Sequence, residues 1–191
     1  MNMFKRTAKL IIIFITWLFL FYSHDLIALE TADKWIELET RYTIIRYKSA
    51  DTIERFHKSI HYGHGWWATT SSFTLLTDAE NRKIATLKTD AIFERAQEIL
   101  DMRKKFEKVN INLYIDKKKM GTAYAILYNQ DCRFKAWYEY KTNTISLNIE
   151  DCHEGILAHE LAHSIIDHFL QVRPPASTAE ILARYVDSHL K

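Results

Sequence analysis

The stretch Gly155-Ile156-Leu157-Ala158-His159-Glu160-Leu161-Ala162-His163-Ser164-Ile165-Ile166-Asp167-His168-Phe169-Leu170 decides how the rest of this chain is read. This apolar-rich run is expected to be a helix. On a helix, His159 and His163 lie one turn apart on the same face, close enough for both imidazoles to share one ion. Glu160 sits beside the first histidine and leans over the same spot, where it can take a proton from a metal-bound water. The chain holds nine histidines, so a chance spelling has to be weighed against the surrounding elements.

A chain of 191 residues fits one domain of ordinary size plus a short extra segment. Its hydrophobic fraction of 48% is enough for a core, and only four Gly and two Pro argue against a linker-rich or disordered protein. Residues 1–28 stand apart. Lys5, Arg6 and Lys9 precede an apolar run of 13 residues, Leu10 to Tyr22, and Ser23 to Ala28 follow. That is the layout of an export signal, and the run falls short of the ~20 residues that span a bilayer. Cleavage is expected after Ala28, although Leu26 is bulky where a small residue is preferred. The alternative is an uncleaved membrane anchor over residues 10–22. The expected location is therefore outside the cytoplasm, periplasmic or secreted, with a membrane partner only if that segment stays.

Without residues 1–28 the net charge falls from +2 to zero, with 23 basic against 23 acidic residues. No basic surplus remains, and a nucleic-acid partner loses its electrostatic footing. Lys117-Lys118-Lys119 reads as a solvated helix start. Export makes a bridge between Cys132 and Cys152 plausible, closing a loop of about 20 residues worth ~3 kcal/mol. Cys152 and His153 could instead ligate a metal, which would leave Cys132 as a lone exported thiol.

Along the chain, Ala32 to Glu39 is ambiguous and Arg41–Tyr47 alternates as a strand. Ser49, Ala50 and Asp51 offer caps for a helix Asp51–Ile60, with Ile53, Phe56 and Ile60 on one face. His57 and His61 are four apart, but no acid stands between them. Gly63 and Gly65 break the helix before or beyond His64, so the three read as a solvated helix end and a loop. Trp66 to Phe73 is strand or loop, its tryptophans packed on the core or lining a cleft. Lys88–Lys108 is the longest expected helix, capped by Thr89 or Asp90, with Ile92, Phe93, Ala96, Ile99, Leu100 and Phe106 as its stripe. Ile111–Ile115 is a strand, and Asp116 caps a helix from Lys117 to about Leu127. Phe134–Tyr140 and Thr144–Ile149 flank Lys141-Thr142-Asn143 as a hairpin, whose free edge could seat an extended peptide. The expected class is α+β, a small mixed or antiparallel sheet packed against helices.

Two histidines do not complete a catalytic zinc site; a third protein ligand and an open position are needed. Pro174-Pro175 ends one element, and Ser177 begins a last helix, Thr178–His189, with Glu180 in its first turn. A helical hairpin across Gln171–Ala176 would turn Glu180 back toward His159 and His163. Ser177-x-x-Glu180 is equally a capping box, which needs no metal.

His159-Glu160-x-x-His163 on one helix with Glu180 on the next resembles the gluzincin metallopeptidases, the thermolysin-like group, in their small minigluzincin form. The resemblance covers roughly Thr144 to Leu190. It says little about residues 29–130, but residues 29–191 are expected to form one zincin-like domain, and the resemblance implies Zn2+ held by His159, His163 and Glu180 with Glu160 as general base. It also implies hydrolysis of a protein or peptide substrate. Thermolysin-like members carry Asp four residues after the glutamate; here Arg184 stands there, leaving Asp187 or Asp167 to orient a histidine. A donor for the oxyanion would come from Tyr185, His189 or His153. His168 lies five beyond His163, off the ligand face, and reads as a surface residue. Two other readings compete. One is a non-catalytic binding or inhibitory module of the cell envelope, against which the intact Glu160 weighs. The other is a structural envelope protein in which the motif is coincidence.

Overall fold

The structure is a computed structural model and describes residues 34–62, 76–105 and 107–190. The export-like segment 1–28, His64, Trp66 to Phe73 and Phe106 lie outside the described residues. From Ile36 onward the elements belong to one compact unit.

The fold is α+β. Five described strands, β1 (Ile36–Glu39), β2 (Thr43–Tyr47), β3 (Val109–Tyr114), β4 (Ala136–Glu139) and β5 (Thr144–Asn148), form one sheet in the order β1-β2-β3-β5-β4. It is mixed. The β2–β3 and β3–β5 pairs are parallel, and both edge pairs are antiparallel. Five described helices accompany it: α1 (Ala50–Ser59), α2 (Asp78–Leu100), α3 (Lys117–Tyr128), α4 (Glu154–Phe169) and α5 (Ala176–Ser188).

Strand alternation builds the core. In β2, Thr43, Ile45 and Tyr47 are buried while Ile44 and Arg46 are half-covered; Val109, Ile111 and Leu113 do the same in β3. These residues join Ile53, Phe56 and Ile60 of the α1 region, Ile92, Phe93 and Ala96 of α2, and Leu157, Leu161 and Ile165 of α4 in one cluster. Each such side chain contributes about 1.5–3 kcal/mol on leaving water. Ala179, Ala183 and Val186 dock α5 onto the same cluster. Helix α3 packs on β3 and β5 apart from it, since its one buried residue, Met120, is not a member.

The helix ends follow capping chemistry. Ser49 caps α1, as expected, and Asp116 Oδ1 accepts from Lys119 N at 2.7 Å to cap α3. Helix α2 departs from its expected span. It begins ten residues before Lys88, at a capping box in which Thr77 and Glu80 satisfy each other's backbone amides, and it ends at left-handed Asp101 instead of Lys108. Thr89, expected as a cap, is buried in mid-helix.

Two further expectations are corrected. His57 is not a solvated helix end: it is 4% exposed, with Nε2 2.7 Å from Asn81 Oδ1, because α2 starts early enough to cover it. His61 is exposed, and its backbone N–H donates to Glu154 Oε2 at 3.1 Å. Cys132 and Cys152 are both free thiols, so the expected bridge does not form. Cys152 is buried in the core cluster, where burial pushes its thiol up to about 12, while Cys132 lies nearer the surface with Sγ toward the Phe134 carbonyl.

Candidate metal centre

Helix α4 starts where His153 caps it: Nδ1 accepts from Gly155 N at 3.2 Å and from Ile156 N at 3.4 Å. That role uses the ring nitrogen that carries no proton. It makes His153 a structural cap, anchored at the helix start. From there the helix runs unbroken through both histidines, buried on the side that holds Leu157, Ala158, Leu161, Ala162 and Ile165.

His159 and His163 face one another as one helical turn dictates, with Nε2 atoms 3.2 Å apart and ring planes inclined at 77°. The third group arrives from α5. Glu180 Oε2 lies 3.5 Å from His159 Nε2 and 3.4 Å from His163 Nε2. The capping box expected at Ser177 is not made: Pro175 occupies the cap position of α5, with no side-chain hydrogen bond there. Glu180 turns instead to the imidazoles, and its other oxygen accepts from Arg184 Nε at 2.7 Å.

These three separations test the fit of an ion. Four ligands at ~2.0–2.1 Å in a tetrahedron stand about 3.3–3.4 Å from one another. The two nitrogens and the oxygen here stand 3.2, 3.4 and 3.5 Å apart. Two imidazoles with one carboxylate are a donor set that zinc accepts, and the spacing suits it. Among the described residues, no other group of His, Cys, Asp and Glu converges in this way.

Charge is tuned by the same crowding. Burial lowers the basicity of His163, and the neighbouring His159 lowers it further. Burial alone would raise the Glu180 carboxyl, but the Arg184 hydrogen bond and the imidazoles outweigh it and hold it below the ordinary value. Glu160 is 8% exposed. Burial, with Glu180 nearby, pushes it up to about 8, while the Tyr138 backbone N–H works the other way.

That last contact introduces a residue the sequence reading did not single out. Tyr138 lies on edge strand β4, and its ring runs parallel to His163 at 6.4 Å between centroids. Its hydroxyl is 3.0 Å from His168 Nε2 and 3.3 Å from Asn143 Oδ1, which also accepts from Ser164 Oγ at 2.7 Å. His168 is therefore no surface residue but a half-buried part of the site wall. The signal was available in the hairpin pattern: Tyr138 pairs with Ile145 in the strand directly ahead of the motif helix.

The remaining candidates sit elsewhere. Tyr185 and His189 stack on each other at 4.0 Å at the end of α5, where His189 is also held by Ser188 Oγ and the Tyr185 carbonyl. Among the described residues these two rings touch helix-end groups and not the three ligand candidates. Asp167 accepts from Arg173 Nε at 3.0 Å, and its buried Oδ1 has no partner among the described residues. Asp187 lies against Gly155, one turn before His159, where an added Cβ would meet Oδ1 at 2.1 Å. No protein-family model, curated protein or solved structure matches this chain.

Proposed function

We propose that the chain is a zinc-dependent peptidase of zincin-like, gluzincin type, acting on protein or peptide outside the cytoplasm. The observation that carries this reading is the turning of Glu180 away from the helix cap it is spelled to make. A carboxylate that leaves its own backbone amides for two imidazoles on a neighbouring helix needs a reason. A shared cation supplies one.

His159, His163 and Glu180 would hold the zinc. Bound there, zinc supplies Lewis acidity, making water acid enough to deprotonate near neutral pH and polarising a carbonyl. Glu160 does the proton work. In its ionised form its carboxylate, itself buried beside the first ligand, would receive the proton of the attacking water and return it to the departing amine. Strand β4 ends the sheet, and an extended peptide pairing with it would lie across Tyr138 and over Glu160. Arg184 orients Glu180 through its second oxygen. Tyr185 and His189 stay as proposed oxyanion donors that a side-chain movement would have to bring inward. The exported location follows from the layout of residues 1–28 alone.

Two measurements test this. Purified protein is expected to hold about one zinc per chain by elemental analysis. Glu160→Gln is expected to keep that zinc and lose cleavage of a mixed peptide library by at least ~100-fold. Zinc-free protein defeats the metal reading, and an E160Q variant that cuts as fast as the parent defeats the role given to Glu160.

A further inference from the structure

We propose that Arg173 selects an acidic side chain in the substrate, two or three residues to one side of the bond that is cut; this rests on the peptidase reading above. A continuous wall leads from the ligand candidates to this arginine. His163 lies parallel to Tyr138, the Tyr138 hydroxyl reaches His168 Nε2 at 3.0 Å, and the His168 ring stacks on Tyr140 at 5.6 Å. The Arg173 guanidinium closes the row, 4.5 Å above the Tyr140 ring.

Arg173 is held but not used up. Its Nε donates to Asp167 Oδ2 at 3.0 Å, and the Asp167 side chain is 2% exposed while that of Arg173 is 57% exposed. A guanidinium has five N–H donors in a rigid fork, and this contact takes one. Among the described residues the terminal nitrogens have no hydrogen-bond partner. If neutralising Asp167 were the whole task, the guanidinium would have no need to sit over an aromatic ring with more than half of its side chain exposed. Glu139 also feels Arg173, but that carboxylate is engaged by the Tyr128 hydroxyl and the Lys141 backbone amide. A carboxylate from outside is the partner whose shape fits two outward N–H groups.

The register follows from the strand. Tyr138 is beside Glu160 and His163, and Tyr140 is two residues further on, just past the end of β4. Two residues of extended chain cover about 7 Å, so a peptide laid along β4 would bring a side chain two or three positions from the scissile bond to Arg173. Arg184, 74% exposed and bonded to Glu180 through Nε, adds a second positive charge near the ligands. Its replacement would disturb Glu180, so Arg173 carries the test.

The experiment uses the zinc-loaded full chain and paired peptides that differ only in Glu against Gln, scanned across the positions flanking the cut. Glu at one position is expected to raise kcat/KM by about tenfold or more over Gln. Arg173→Gln is expected to bring that ratio to about one, and Arg173→Lys to keep part of it. Arg173→Gln also leaves Asp167 unpaired, so zinc content and thermal melting are measured alongside. A second arm titrates fluorescent Glu and Gln peptides onto E160Q and E160Q/R173Q, which reads binding without cleavage. Equal use and equal binding of both peptides by protein with native Arg173 overturns the inference while leaving the peptidase reading standing. Absent zinc and absent cleavage overturn the peptidase reading and this inference with it.

Discussion

Two helix pairs in this molecule bring a histidine against a polar side chain of the following helix, and they solve the encounter differently. In α1–α2, His57 is buried with Nε2 2.7 Å from Asn81 Oδ1, and Lys88 Nζ closes the end of α1 by donating to the His57 and Ile60 carbonyls. The His57 Nε2 and the Lys88 ammonium each have a partner within the chain. In α4–α5, two imidazole nitrogens and a carboxylate oxygen stand 3.2–3.5 Å from one another, spaced as three ligands of one ion would be. An interior histidine answered by an amide is architecture. Donors aimed at one point, three from two helices, describe a place for something else.

The strongest way to break this contrast is to remove a ligand on each side. His163→Ala and Glu180→Ala are each expected to cut zinc affinity by at least ~100-fold, read by competition with a chelating dye, whereas His57→Ala leaves it unchanged. Zinc at about a thousand times its Kd should stabilise the parent by ~4 kcal/mol and the ligand variants hardly at all. Next in size is Gly155→Ala. The new Cβ would fall 2.1 Å from Asp187 Oδ1, so α5 must shift or Asp187 must swing away, at about 1–3 kcal/mol. Because α5 carries Glu180, zinc affinity should fall too, and adding Asp187→Ala should restore both melting temperature and affinity.

The α1–α2 pair gives the next effect. Asn81→Ala leaves the His57 ring buried without its partner, at about 1–3 kcal/mol in urea unfolding. Its pH dependence has a definite sign. Burial lowers the basicity of His57 below its unfolded value, so the unfolded chain takes up the proton first as pH falls. The stability this residue supplies is complete above about pH 6.5 and is lost as pH drops through the lower folded value. His57→Gln should flatten that part of the curve. The smallest change is Thr77→Ala, which removes the capping box of α2 for about 1 kcal/mol with no effect on zinc.

The parts of this protein that were legible in the sequence are those fixed by short spacings. His159 and His163 meet because four residues make a turn, and Ser49 and Asp116 cap because the cap bond is local. The hairpin β4–β5 follows from Asn143, which takes the left-handed conformation asparagine tolerates. Longer-range contacts were not readable. Nothing local says that β3 pairs in parallel with both β2 and β5, since those pairings are made across helices. His168 looked like surface because only the strand beyond the turn supplies its partner, Tyr138. The early start of α2 was legible, since Thr77-x-x-Glu80 spells its capping box; the apolar stripe further along drew attention past it. Cys132 and Cys152 bracket the hairpin in sequence, yet one belongs to the core and the other to the rim.

The bare entry to α5 has a consequence of its own. Pro175 offers no side chain to the first turn, and the one acid spelled to tie that turn is committed elsewhere. We expect the opening of this helix to be fastened by the ion itself, so that chelation would loosen the connection around residues 171–178 before the sheet feels anything. An added endoprotease should then nick the chelated protein there while the zinc-loaded protein stays whole, turning metal occupancy into a control on how long the molecule survives.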